Sequence, residues 1–199
     1  LRAGIDASAY EFRPDGREPF SVLFLGSFRH RPNVEALDWL IRHVMPAVLR
    51  AEPRARLYVA GAGAPEDHTL PDLGGAVRVV GFVEDVREPL GRYAVFACPI
   101  LSGSGVRVKL LEAFAAGIPC VSTRLGAEGL ASEDGQVCRL ADRPEEFAQK
   151  IVELFRRPEE AAAMAGRARE HVERNHDART MAERLVEAYR EALRRKAAQ

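Results

Sequence analysis

Neither sign of charge is in surplus. Twenty-nine Lys and Arg stand against twenty-nine Asp and Glu, a formal net charge of zero. That removes the global positive field on which nonspecific nucleic-acid and membrane-surface binding depend, so any anion site must be local. Cysteine is scarce as well. Cys98, Cys120 and Cys138 are an odd set without paired spacing, which argues against a disulfide framework and a zinc site. Each lies in a short apolar run, so the expectation is three buried free thiols in a reducing compartment, the cytoplasm. His30, His43, His68, His171 and His176 are scattered without ligand spacing, so no metal is expected. No apolar run is long enough for a membrane span, and no signal-peptide pattern is legible. The chain opens on Leu1 rather than Met, the expectation for a fragment or processed product.

What is present is an alternation of strand and helix. The 199 residues, 47 % of them hydrophobic, suffice for one full-sized domain. Compact apolar runs at 21–25, 56–60, 77–80, 94–98, 119–122 and 136–140 read as strands, and the first four end at Gly26, Gly61, Gly81 and Pro99. Leu37, Ile41, Val44 and Val48 recur at spacings of four, three and four, which predicts a helix over 33–50. Asn33 is its expected N-cap, and Pro46 predicts a kink or break inside it. Shorter helical patterns cover 85–93, with Asp85 as a cap, and the stretch ending near Ala116. Longer ones cover 144–155, 159–175 and 178–194. Trp39 is expected to pack in the core, and the charged run at 165–174 to be a solvated helix face. Strands buried on both faces and separated by helices imply an α/β fold, a doubly wound parallel Rossmann-like sheet followed by carboxyl-terminal helices. Ligands of such sheets bind beyond the carboxyl ends of the strands. Residues 1–19, polar and without a period, read as a connecting segment. Residues 20–177 read as the domain, and 178–199 as a terminal helix.

One stretch carries chemistry. Residues 102–123 read SGSGVRVKLLEAFAAGIPCVST. Arg107 and Lys109 fall in the predicted first turn of a helix, where the partial positive end of the dipole disfavours cations. An anion held there reverses the sign, and free backbone N–H groups point at it. Gly103 and Gly105 let backbone approach such an anion without a Cβ. These residues together describe a phosphate or diphosphate site, although the spacing is not that of a Walker A loop. Glu112 suits paired sugar hydroxyls better than phosphate, because it accepts hydrogen bonds and repels anions. The plainer alternative is that Arg107 and Lys109 are solvated, or that Lys109 pairs with Glu112 on the helix surface. His30, in the loop after the first strand, is a further candidate contact.

At these residues the chain resembles the carboxyl-terminal half of a group 1 retaining glycosyltransferase of the GT-B fold. AGID at 3–6 resembles the interdomain linker motif, and VLFLGSF, LYVAG, VVGFVEDV and LLEAFAAGIPCVSTRLGAEGL follow the family's order. The resemblance implies that this half binds a nucleotide diphosphate sugar in a cleft facing an amino-terminal domain, which holds the acceptor. Glu112 matches the second glutamate of the family's E-x7-E motif, which holds the ribose hydroxyls. Leu110 and Leu111 match positions whose N–H groups meet the diphosphate. Phe82 and Val83 match the region that contacts the base. Gly26 and Arg31 lie in the first-strand loop of the same cleft.

The chain also departs from the pattern. The first glutamate of E-x7-E, near the donor sugar in the family, falls on Ser104. The cations usual after the first strand fall on Ser27 and Pro32, and Lys109 stands where proline is usual. Arg107 and Lys109, with Arg29 or Arg31, are therefore the expected replacements for the missing charge. The resulting expectation is the donor-binding domain of a hexosyltransferase that retains anomeric configuration, inactive or nearly so by itself. It needs no cofactor, does not bind nucleic acid, and lies in the cytoplasm or at the inner face of the membrane through the missing half. The alternatives are half of a nucleotide-sugar epimerase and a non-catalytic α/β interaction module. The face of the last helix carrying Met181, Leu185 and Tyr189 is expected to be partly exposed without the amino-terminal domain.

Overall fold

The computed structural model describes residues 4–66 and 69–197. His68, Ala3 of the AGID motif and the outermost residues of the two terminal segments lie outside them. Six parallel strands form one sheet: β1 (Glu18–Leu25), β2 (Arg56–Ala60), β3 (Val77–Gly81), β4 (Tyr93–Cys98), β5 (Cys120–Ser122) and β6 (Arg139–Leu140). Their spatial order is β3-β2-β1-β4-β5-β6. The order reverses between β1 and β4, so the crevice of this doubly wound sheet opens at the carboxyl ends of those two strands. Phe24 and Phe96, from these central strands, are fully buried, as the near-continuous apolar runs require of strands covered on both faces.

The helices are α1 (Arg31–Trp39), α2 (Met45–Ala51), α3 (Arg87–Arg92), α4 (Val108–Ala115), α5 (Pro144–Arg156), α6 (Pro158–Asn175) and α7 (Ala178–Ala197). The α2 and α5 helices pack together on one side, while α4 packs against α3 and α6 on the other. Between α1 and α2, a π-helical turn spans Leu40–Val44. It is the local form taken by the break that Pro46 predicts, since a proline without an N–H cannot continue the regular ladder. Trp39 packs edge-on against Phe147, ring centroids 5.5 Å apart, as its place in an apolar helix face suggests.

Several boundaries move from their sequence-based positions. Strand β1 starts at Glu18, and Phe20 within it adopts a φ of 57°. The pairing with β4 shifts register there, and the Ser21 hydroxyl spans the irregularity by accepting the Ala94 N–H (2.8 Å) and donating to the Glu18 carbonyl. Strand β6 is limited to two residues, because Gln136–Cys138 follow a turn in which Asp134 accepts the Leu140 N–H at 2.7 Å. Asn33 does not cap a helix. The α1 helix begins two residues earlier, at Arg31, and the Asn33 side chain is committed elsewhere. Asp85 does accept the Arg87 N–H (2.9 Å) at the head of α3. The three cysteines are buried and free.

The segment before β1 lies on the domain. Ile5 bridges to Asp177, Ala7 is buried, and the Ala7 N–H donates to the Asp177 carboxylate. Arg17 donates to the carbonyls of Leu90 (2.6 Å), Tyr93 (2.9 Å) and Ala116 (2.9 Å), which close the ends of α3 and α4. Its burial pushes the guanidinium down to about 10. Arg169 is not part of a purely solvated face, as the charged run at 165–174 had implied. It reaches the carbonyls of Tyr10 (2.9 Å) and Ala115 (2.6 Å). At the other end of the chain, Leu185, Val186, Tyr189 and Leu193 of α7 are exposed.

Candidate functional site

Two loops meet at the crevice. The first follows β1 and runs from Gly26 into the head of α1. The second follows β4 and runs from Pro99 to Arg107, the residue before α4. They touch directly. The Ser102 hydroxyl donates to Glu35 of α1 at 2.8 Å, and a Cβ on Gly103 would lie 3.7 Å from the Pro32 ring. Gly103 and Gly105 both have φ of 91°, in the left-handed half of backbone space that a glycine enters without strain. This conformation turns the loop sharply into α4.

The first loop is seated by backbone contact. The Gly26 N–H donates to the Ala60 carbonyl (3.1 Å) and the Phe28 N–H to the Ala62 carbonyl (2.9 Å). Gly61 has φ of 134°, and a Cβ there would meet the Gly26 carbonyl oxygen at 1.9 Å. Only glycine permits the ends of β1 and β2 to approach so closely. On its other side Gly26 is backed by Asn33, whose Cγ would lie 2.8 Å from an added Cβ.

The candidate side chains do not all converge. Arg107 folds over the second loop and donates to the carbonyls of Ser104 (2.9 Å) and Gly103 (3.0 Å). Ser104 itself is exposed. The Lys109 ammonium turns instead to the end of β1, donating to the Leu25 carbonyl (3.0 Å) and Asn33 Oδ1 (2.6 Å). Asn33 Nδ2 in turn donates to the Ser27 carbonyl at 2.8 Å. Burial, the larger cause, and the Arg107 charge together hold the Lys109 ammonium below its ordinary value. Two of its three donors are thus spent on joining α4, α1 and the first loop. The geometry gives Lys109 a different task from the one its position suggested. Arg31 is exposed and pairs with Glu35 one turn along α1 at 2.7 Å.

Leu110 and Leu111 are fully buried, and their N–H groups both donate to the Arg107 carbonyl, at 2.9 and 3.3 Å. The N–H groups of Val108 and Lys109 take no acceptor among the described residues, so they are the open donors at the head of α4. One turn further in, Glu112 is half-buried. Burial raises its carboxyl above the ordinary value, and a hydrogen bond from Tyr10 opposes the shift. That bond, from Tyr10 Oη to Glu112 Oε1, is 2.9 Å. Lys109 and Glu112 therefore each have other partners and do not pair with one another. Val83, half-buried, packs on the core just beyond β3, while its neighbour Phe82 is 73 % exposed. His30 is exposed at the head of α1.

Tyr10, Asn33 and Glu35 had no sequence motif to mark them. The one available signal for Tyr10 was an aromatic ring in a largely polar segment, a signal it shares with Phe12. A separate cavity of about 450 Å³ lies between Arg17, Phe20, Pro119 and Phe155. It sits at the amino ends of the strands, on the opposite edge of the sheet from the crevice.

A doubly wound parallel sheet with a Gly-rich loop, an open helix head and a half-buried carboxylate at its switch point defines a Rossmann-like α/β domain. The family model described as "Glycosyl transferases group 1" matches residues 19–157, and the chain belongs to that family. It is 30 % identical over 162 residues to a GDP-mannose-dependent monoacylated alpha-(1-6)-phosphatidylinositol monomannoside mannosyltransferase of Corynebacterium glutamicum. That match covers 75 % of this chain and 42 % of the relative. The chain spans under half the length of the curated relatives it matches. Among solved structures, Alr3699/HepE of Anabaena in complex with UDP-glucose superposes with a TM-score of 0.73 at 17 % identity, over 94 % of this chain and 56 % of that one. The C-terminal domain of the glycosyl transferase group 1 family protein LpcC from Francisella tularensis gives 0.67 at 16 % identity, over 88 % of this chain and 100 % of that one. The fold is thus that of one half of a GT-B glycosyltransferase. No described helix is long and apolar enough to cross a membrane.

Proposed function

We propose that this chain is the donor-binding half of a retaining hexosyltransferase, taking a nucleotide diphosphate sugar at the crevice between β1 and β4. The observation that carries the reading is the convergence at the switch point of the Gly103–Gly105 loop, the open N–H groups of Val108 and Lys109, and Glu112 one turn behind them. The diphosphate sits at the head of α4, where helix dipole and free donors favour an anion. Arg107 swings from the carbonyls of Gly103 and Ser104 to the phosphates, exchanging two neutral acceptors for a charged one. Such donors also stabilise the charge that grows on the leaving diphosphate during transfer. Glu112 accepts the ribose hydroxyls, and the base lies along Val83 and Phe82. The family's first glutamate is replaced by Ser104, a weaker hydrogen-bonding group toward the donor sugar. An amino-terminal domain, facing the crevice, supplies the acceptor site, so this half alone turns over little or no substrate.

The test is a thermal-shift and calorimetric comparison of UDP, GDP and their hexose conjugates, because a ligand of the folded state raises its apparent stability. Arg107→Ala is expected to weaken the best nucleotide diphosphate about tenfold, the scale of one charge-assisted hydrogen bond. The reading fails if no nucleotide diphosphate binds, or if Arg107→Ala leaves affinity unchanged.

A further inference from the structure

Glu112 does not face the crevice alone. Tyr10, 102 residues away in sequence, donates its hydroxyl to Oε1 of this carboxylate at 2.9 Å, and both side chains are half-buried. The segment carrying Tyr10 is itself held. Its carbonyl accepts from Arg169 at 2.9 Å, and the preceding carbonyl, of Ala9, accepts from Arg87 at 3.4 Å. We infer that Tyr10 is a positioning residue for the donor ribose, fixing the Glu112 carboxylate so that its second oxygen faces the ribose hydroxyls. The inference rests on the donor reading above.

The chemistry is specific. A carboxylate has two oxygens and about four acceptor sites, so a donor on Oε1 leaves Oε2 free for a vicinal diol. Burial disfavours the charged form of Glu112, and the tyrosine hydrogen bond works against that cost. Without it, the carboxylate is a poorer and less well-aimed acceptor. Tyr10 lies four residues after Asp6, in the segment that reaches the domain from the amino-terminal side. Its placement therefore depends on how that segment lies on the body.

The test uses the 199-residue chain and two pairs of probes, UDP and GDP with their 2′,3′-dideoxy analogues. The ratio of dideoxy to ribo dissociation constants reads the hydroxyl contacts alone, because base and diphosphate are common to both members of a pair. Tyr10→Phe removes one oxygen and is expected to lower this ratio about tenfold, the scale of a hydrogen bond to a charged group. Glu112→Gln should lower it as well, and the double variant should lose little beyond either single change, since the two act as one unit. Loss of fold weakens both probes together and leaves the ratio in place, so it does not imitate the expected result. A parent chain that binds neither nucleotide overturns the donor reading and this inference with it. A parent chain that prefers the ribonucleotide while Tyr10→Phe keeps or increases that preference overturns the role of Tyr10 alone.

Discussion

The contact between Gly61 and Gly26 sets the floor of the first loop, and Gly61→Ala measures how rigidly. A Cβ at position 61 would stand 1.9 Å from the Gly26 carbonyl oxygen and 2.8 Å from its carbon, against 3.4 Å or more for ordinary contact. The obstructing atoms are backbone, so no side chain can rotate away. The φ of 134° adds a backbone cost on the order of 1–3 kcal/mol for a residue with a Cβ. Relieving the overlap must move the ends of β1 and β2 apart. That loosens the bonds from Gly26 N to Ala60 O, Phe28 N to Ala62 O and Gly61 N to Gly81 O, each worth about 1 kcal/mol. The sum is roughly 4 kcal/mol or more, or a fall in melting temperature of roughly 8–16 °C for a domain of this size. Gly81→Ala is the control. Gly81 ends the neighbouring strand, has φ of 83°, and an added Cβ would meet nothing within 4 Å. It pays the backbone cost without the collision, about 1 kcal/mol and roughly 2–4 °C. Urea and thermal unfolding of both variants decide the matter. Equal losses in the two would refute the steric argument, and a Gly61→Ala loss below about 1 kcal/mol would mean that the strand ends separate freely.

Two further perturbations separate structural from binding roles. Glu112→Gln is expected to stabilise the domain at pH 7 slightly, by well under about 1 kcal/mol, because it removes a partly desolvated charge that solvent still screens while keeping an acceptor for Tyr10. The carboxyl is raised above its ordinary value in the fold, so its favourable contribution is complete below the unfolded value near 4.5 and is lost as pH rises through the folded value. The gain from glutamine should therefore shrink toward zero by about pH 4, and a gain independent of pH would contradict it. Lys109→Met leaves Asn33 Oδ1 and the Leu25 carbonyl without their donor and is expected to cost about 2 kcal/mol, seen as a lower urea midpoint. Arg107→Ala, whose partners are exposed loop carbonyls, should cost under about 0.5 kcal/mol, and the reverse ranking would mean that the two cations have been assigned the wrong way round.

The fold was legible where its cause is local. Runs such as SVLFL and VFAC must be buried on both faces, and the Gly or Pro ending each of the first four strands marks the edge where a crevice forms. The Gly103–Gly105–Arg107 turn was equally open to reading, because residue spacing alone places two glycines ahead of a helix. Side-chain partners across the chain were not. Lys109 and Asn33 are 76 residues apart, and nothing in the sequence pairs them until the strand order brings α1 and α4 to the same strand end. Tyr10 and Glu112 are further apart still. Asn33 misled for a physical reason. The same amide that can cap a helix can tie two loops together, and only the tertiary neighbours decide between them. Strand β6 was read too long because its apolar residues are buried by a turn rather than by pairing.

The two arginines at the far end of α4 have a mechanical consequence. Arg17 and Arg169 grip the carbonyls of Ala116 and Ala115 at its tail, while Lys109 ties its head to the Leu25 carbonyl and Asn33, so this eight-residue helix is held at both ends. It behaves as a strut about 12 Å long. One tail grip comes from the segment before β1 and the other from α6, so a displacement of either is passed along the helix to the crevice, where a shift of about 1 Å is the scale at which donor placement begins to matter.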